Sequence, residues 1–216
     1  MSERGNLVIT IARQYGSGGR IIGRRLAEDL GVHFYDQEIL RMTSEVSAVG
    51  EQYFRLADEK AGGNLLYRIV GGLRGGGLDE PALDMGIVKP DNLFRFQSAV
   101  IRKLAQEEPC VIVGRCADYV LQAAGHEPLI RLFVYADAAT RIRRVQDVDG
   151  LDTREALKKL TRINRERWSY VHYYTGRDWE DMQYYDLPVN TGVIDLDQAV
   201  DLVKWYIALR GYGCGK

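Results

Sequence analysis

The sequence predicts an α/β sandwich built on a parallel sheet, and three observations carry that prediction. Short apolar segments rich in β-branched residues alternate with segments of helical periodicity. Most of the apolar segments are continuous, which is typical of strands covered on both faces. The chain has 216 residues, of which 46% are hydrophobic and 27% charged, so it can form one substantial core. We therefore expect a single domain, 1–216, with right-handed crossovers.

The elements follow from this alternation. Five strands are predicted over residues 7–11, 32–35, 110–113, 129–135 and 187–190. A helix is predicted over residues 20–30, because apolar residues recur there at every fourth position and Gly31 follows as a C-terminal cap. Another begins after Asp152, since Glu155 three residues later is typical of a capping box. A third covers residues 195–209.

One segment between the second and third strands is too long for a simple crossover. Residues 40–108 exceed what one helix needs, and they contain the Gly-rich run 71–77. That run follows no clear strand and precedes no Lys or Ser/Thr, so a flexible connector is favoured over a phosphate loop. We interpret about 40–108 as an inserted lobe.

A second irregular segment, about 141–174, is basic. The stretch from Arg141 to Arg167 contains nine basic and five acidic residues, which gives it a local charge of +4. In a helix, Lys158, Arg162 and Arg165 point the same way. This segment is interpreted as a cationic lid, which leaves a core made of 1–39, 109–140 and 175–216.

Composition excludes several classes of protein. The net charge of −1 argues against a nucleic-acid polymer or a membrane as partner, although 22 of the 29 basic residues are Arg. Three cysteines without close spacing fit a reducing cytoplasm. The apolar stretch 7–12 is too short for a signal peptide or a membrane span. The three histidines are scattered, so no protein-bound metal is expected. A cytoplasmic location is predicted.

The loop between the first strand and first helix has the features of a phosphate site. Small residues let backbone N–H groups converge on oxygens, and the helix N-terminus adds its positive end. The candidate phosphate-binding residues are Gly16, Ser17, Gly18, Gly19 and Arg20. A looser Rossmann-like reading, Gly16-x-Gly18 with Asp36 ending the second strand, stays open.

The loop departs from the standard G-x-x-x-x-G-K-S/T motif. With Gly18 on the second motif glycine, Arg13 takes the first glycine, Gly19 the lysine and Arg20 the Ser/Thr. Sliding by one residue puts Arg20 on the lysine and Ile21 on the Ser/Thr. Neither register supplies the hydroxyl that helps to hold magnesium, for which only Ser17 is nearby.

Four stretches carry a family resemblance. They occur in the order ITIARQYGSGGRIIG (9–23), FYD (34–36), VIVGRCADYVL (111–121) and YYTGRDW (173–179). The chain resembles the cytidylate kinase-like family of bacterial P-loop proteins over nearly its whole length. The resemblance implies a P-loop kinase three-layer sandwich with a five-stranded parallel sheet in the order 2-3-1-4-5. It also implies a helical inserted acceptor lobe after the second strand and an Arg-bearing helical lid after the fourth.

The implied activity is transfer of the terminal phosphoryl group of ATP to a nucleoside monophosphate, CMP or dCMP. Mg²⁺ is expected with ATP, without a recognisable protein motif for the ion. The expected partners are ATP and a small phosphorylated acceptor, and a homo-oligomer is left open. The expected catalytic residues are Arg20, Arg115, Arg162 and Arg165, and the expected acceptor-binding residues are Asp36, Arg115 and Asp118. Further lid candidates are Arg154, Arg167 and Arg177.

This chemistry needs positioning and cations rather than a general base, because the acceptor phosphate oxygen is already ionised. Arg20 is expected to do part of the work of the missing lysine as a fixed charge. Two alternatives remain. The first is a non-catalytic nucleotide- or anion-binding regulator on the same fold, and the second is a kinase of a non-nucleotide small molecule.

Overall fold

The structure is a computed structural model that describes residues 5–36 and 90–212 of the 216-residue chain. Its strands are β1 (Val8–Arg13), β2 (His33–Tyr35), β3 (Cys110–Val113), β4 (Leu129–Tyr135) and β5 (Leu187–Asn190). Its helices are α1 (Gly19–Leu30), α2 (Pro90–Glu107), α3 (Ala117–Ala123), α4 (Ala138–Asp149), α5 (Thr153–Thr175) and α6 (Leu196–Leu209), with a 3₁₀ turn at Met182–Tyr184.

The strands form one sheet in the order β2-β3-β1-β4-β5, and every neighbouring pair is parallel. The predicted fold class and strand order are confirmed. β1 lies at the centre, where Ile9 pairs with Val111 on one side and with Ile130 on the other. The carboxyl end of β1 therefore lies between those of β3 and β4, the edge at which open α/β sheets bind ligands.

Helices cover both faces of the sheet, which explains the continuous apolar strands. On one face, sheet residues pack with α1 and α6 through Ile9, Ile11, Ile22, Leu26, Val111, Val113, Ala199 and Val203. On the other face they pack with α2 and α3 through Val8, Cys110, Ile112, Val100, Ile101, Leu104, Val120 and Leu121. Three layers result, with the sheet in the middle.

The predicted lobe boundary needs a correction. Residues 90–107 form α2, whose Val100 and Leu104 are fully buried against the sheet, so this helix belongs to the core and not to an inserted lobe. The rest of the predicted lobe, including the Gly-rich run 71–77, lies outside the described residues. The predicted lid overlaps α4 and α5, and the capping box of Asp152 and Glu155 starts α5 as expected.

Within residues 5–36 and 90–212, no helix has the length and apolar composition needed to cross a membrane.

Candidate active site

A cavity of about 520 Å³ lies where the ends of β1 and β3 face α5. This volume is in the range of small-molecule sites. Its charged lining comprises Arg13, Arg115, Asp118, Arg162, Glu166 and Arg167. Four cations against two acids make it suited to an anionic ligand.

The predicted phosphate loop joins β1 to α1 beside this cavity. Gly18 is the N-cap of α1, no side chain caps the helix, and the first turn holds no acidic residue. The first N–H groups of α1 therefore have no side-chain cap, and no acidic residue in the first turn offsets the positive end of the helix dipole. This is the arrangement in which helix N-termini bind phosphate.

The phosphate loop is held in place by Thr191, which follows β5, and by Arg144 of α4. The carbonyl oxygen of Ser17 accepts hydrogen bonds from Oγ1 of Thr191 at 2.7 Å and from Nη1 of Arg144 at 3.2 Å. Nη1 of Arg144 also donates to Oγ1 of Thr191 at 2.9 Å. The Ser17 side chain is fully buried and donates to the carbonyl oxygen of Gln14 at 2.8 Å. Its hydroxyl is thus occupied within the loop.

Replacing Thr191 with valine should lower the free energy of unfolding by about 1–3 kcal/mol, because isosteric loss of the hydroxyl removes buried hydrogen bonds to Ser17 and Arg144. Urea unfolding measures this. The matched control is Thr161→Val at an exposed position of α5, expected to stay within about 0.5 kcal/mol of the wild type. Equal values for the two variants would show that Thr191 does not brace the loop.

Two partly buried arginines of the cavity lie close together. Nη1 of Arg167 donates to the carbonyl oxygen of Arg13 at 2.9 Å. Burial and the nearby Arg167 lower the pKa of Arg13 to about 9. Burial likewise lowers the pKa of Arg167 to about 10. Both shifts indicate that the protein's own groups do not fully compensate these two charges, as is common at functional sites.

Arg115 reaches the same cavity from an unusual backbone. Arg115 and Cys116 have φ values of 60° and 53°, in the left-handed region, and the N–H of Ala117 closes the turn on the carbonyl oxygen of Gly114 at 3.1 Å. Non-glycine residues hold this conformation at an energetic cost, which is found most often at functional sites. Tyr170 lines the same cavity and donates from its hydroxyl to Oε1 of Gln97 at 3.1 Å, and burial raises the pKa of that phenol.

The two aspartates predicted to bind the acceptor lie in different surroundings. Asp36, at the end of β2, is 7% exposed, and its Oδ2 lies 2.6 Å from Nε of Arg20. Asp118 lies in the first turn of α3 and lines the cavity. Burial raises its pKa, although the N–H of Tyr119 and the charge of Arg177 partly oppose the shift.

Four of the lid arginines lie in four different surroundings. Arg162 lines the cavity and pairs with Glu166 at 2.8 Å, both more than half exposed. Arg165 lies instead in a broader groove along α5. Arg177 lies over the rings of Tyr119 and Tyr184, at 4.8 and 4.4 Å from their centroids. Arg154 is exposed at the start of α5.

Of the predicted catalytic residues, the structure brings Arg115 and Arg162 to the cavity and leaves Arg20 and Arg165 outside its lining. Their roles stay predictions. Sequence reasoning missed Arg13, and it ranked Arg167 below Arg162. The available signal for Arg13 was its place at the first glycine of the motif, where an arginine is unexpected.

The residues of this site lie within a region that is similar to known proteins. The profile of the cytidylate kinase-like family matches residues 8–193, which include the loop, the β3–α3 turn and α5. The chain belongs to the cytidylate kinase-like family. This cytidylate kinase-like chain is 24% identical to a cytidylate kinase of Methanopyrus kandleri over 209 residues, covering 92% of each chain. It is 27% identical to a cytidylate kinase of Pyrococcus furiosus over 208 residues, covering 93% of this chain and 88% of that protein.

A solved structure is also similar to the cytidylate kinase-like chain. It is an uncharacterized protein from Eubacterium ventriosum, with a TM-score of 0.67 and 27% identity, covering 94% of this chain and 99% of that one. The alignment extends over almost the entire length of both proteins. The two curated relatives are archaeal, and the bacterial origin expected from the sequence stays untested.

Proposed function

We propose that this protein is a nucleotide kinase that transfers the terminal phosphoryl group of ATP to CMP or dCMP. The observation that carries the proposal is the convergence of Arg13, Arg115 and Arg167 on one cavity beside the phosphate loop. The family match and the archaeal relatives named cytidylate kinase support it.

In this proposal the donor phosphates bind at the loop and the N-terminus of α1, whose N–H groups face them. The acceptor phosphate binds at Arg115, on the adjacent strand end. Both phosphates then lie between cations, and an ionised oxygen of the acceptor attacks the γ-phosphorus in line while the β-oxygen of ADP leaves. Arg162 lines the cavity, and its ion pair with Glu166 is exposed and therefore weak. In this proposal Arg162 leaves Glu166 and binds the transferred phosphoryl group.

The described residues do not offer a ready magnesium site. The Ser17 hydroxyl donates within the loop, Asp36 pairs with Arg20, and burial favours protonation of Asp118. In this proposal magnesium enters with ATP, as part of the MgATP substrate.

A cytoplasmic location belongs to the same proposal. Its support is the pair of free, buried thiols of Cys110 and Cys116, since reduced cysteines are usual in that compartment. Burial raises the pKa of Cys116, and the Cys110 pKa is raised to about 12, so neither thiol is activated as a nucleophile.

The deciding experiment measures ADP formation from MgATP across a panel of nucleoside monophosphates, together with ATP binding by calorimetry. We expect turnover to be highest with CMP or dCMP and to fall strongly in Arg115→Ala. ATP binding without turnover on any monophosphate would contradict the kinase proposal and leave a nucleotide-binding regulator. Turnover with a non-nucleotide acceptor alone would contradict the proposed acceptor.

A further inference from the structure

The phosphate loop contains an exchange of residue types between two motif positions. In the standard motif a glycine begins the loop and a lysine follows its second glycine. With Gly18 as that second glycine, this chain has Arg13 where the first glycine stands and Gly19 where the lysine stands. One cation is absent from the loop and another is present six residues earlier, at the end of β1.

The two exchanged positions touch each other. A Cβ placed on Gly19 would lie 2.7 Å from Cβ and 3.2 Å from Cγ of Arg13, and 3.2 Å from Cβ of Val134. The first distance is shorter than side chains tolerate. The stem of Arg13 therefore occupies the space that a lysine side chain at position 19 would need to leave the loop.

The guanidinium of Arg13 continues from there across the β3–α3 turn. A Cβ on Gly114 would collide with Nη1 of Arg13 and would lie 3.2 Å from Cζ and 3.4 Å from Nη2. A residue without a side chain at 114 thus keeps open the path of Arg13 into the cavity that Arg115 and Arg167 also line.

The charge of Arg13 is available to a ligand. Its side chain is 21% exposed, and the facing carboxylate oxygen, Oδ1 of Asp36, is 3.8 Å from Nη2. The other oxygen of Asp36 lies closer, at 2.6 Å, to Nε of Arg20. Arg20 therefore holds the better contact with this carboxylate and is 57% exposed, whereas Arg13 faces Arg115 and Arg167 in the cavity.

We propose that Arg13 is the phosphate-loop cation of this protein, contacting the β- and γ-phosphates of ATP in place of the missing lysine. At Gly19 and at Gly114, Arg13 occupies the space that a side chain would need. Arg20, expected from the sequence to take this role, instead neutralises Asp36. The inference rests on the proposed function, because it assumes that ATP is the donor.

A cycle of variants tests the exchange directly, with the Kd for MgATP measured by calorimetry and folding followed by thermal unfolding. Arg13→Gly should weaken binding about 10- to 100-fold, since charge-assisted hydrogen bonds to phosphate are lost. Gly19→Lys alone should also weaken binding, because its side chain collides with Arg13. The double variant R13G/G19K restores the standard arrangement and should recover most of the wild-type affinity.

Further variants separate charge from folding. Arg13→Met keeps the stem that packs on Gly19 and removes the charge, so it should fold and bind as weakly as Arg13→Gly. Arg24 is exposed on α1, and its guanidinium lies 5.5 Å from the ring centroid of Phe34. Arg24→Met should bind MgATP like the wild type. Arg20→Met should weaken binding less than Arg13→Met.

The outcomes distinguish this inference from the proposed function. If the wild type binds MgATP and Arg13→Met binds within threefold of it, the inference is wrong and the donor site stands. A larger loss in Arg20→Met than in Arg13→Met, or a double variant no better than either single variant, also overturns it. Absence of MgATP binding in the wild type overturns the proposed donor and this inference together.

Discussion

Replacing Arg115 with alanine should lower kcat/KM for phosphoryl transfer by about 100- to 1,000-fold. Arg115 lines the cavity with Arg13 and Arg167, where low exposure to water strengthens its interaction with a phosphate. Removal of one preorganised donor to a developing charge usually costs this much. Steady-state kinetics with MgATP and the preferred monophosphate measures the effect, which we expect both in kcat and in the KM for the monophosphate, because Arg115 holds the acceptor phosphate before and during transfer.

The backbone at Arg115 offers a control that separates function from folding. Its φ of 60° costs a non-glycine residue about 1–2 kcal/mol, whereas glycine adopts it freely. Arg115→Gly should therefore unfold at a higher denaturant concentration than Arg115→Ala while losing the same activity. Glycine at this position would avoid the conformational cost. The presence of arginine despite that cost supports a functional role for its side chain.

Arg143→Ala provides the matched surface variant for this experiment, since Arg143 is exposed on α4 and is not part of the cavity lining. It should keep kcat/KM within about twofold of the wild type. Activity of Arg115→Ala within tenfold of the wild type would show that this arginine does not contact the reacting groups. A glycine variant less stable than the alanine variant would contradict the strain argument.

The sheet was predictable because strands buried on both faces have a simple signature. Short apolar segments, most of them continuous, located all five strands to within two residues. The largest error was at the end of β1, which extends to Arg13 because Ala12 and Arg13 pair with Phe133 and Val134 of β4. A charged residue at a strand end reads as the start of a loop until its partner strand is known.

The site was predictable where local sequence determines position and not where tertiary contacts do. Arg115 lies two residues after the end of a buried strand, so its place at the sheet edge follows from the sequence alone. The brace between Ser17 and Thr191 joins residues 174 positions apart and depends on the strand order. Helical spacing put Arg162 and Arg165 on one face, yet the rotation of α5 against the core brings only Arg162 to the cavity lining.

Replacing Gly16 with alanine should lower the free energy of unfolding by about 2–5 kcal/mol, the largest effect on stability expected in the loop. Its φ of +78° costs an alanine about 1–2 kcal/mol. A Cβ there would also lie 2.8 Å from the carbonyl oxygen of Arg141, a backbone atom that is fixed because the N–H of Arg141 donates to Asp137 in the first turn of α4. Overpacking against such an atom adds about 1–3 kcal/mol.

Gly31→Ala is the matched control, because Gly31 has a φ of +66° and no atom within 4 Å of an added Cβ. It bears the conformational cost without the collision, so it should lose about 1–2 kcal/mol in urea unfolding. The difference in unfolding free energy between the two variants measures how tightly the loop packs against α4. If this packing also positions the donor phosphates, MgATP affinity should fall in Gly16→Ala and stay unchanged in Gly31→Ala. Equal losses of stability in both variants would mean that α4 yields to the added methyl group and does not fix the loop.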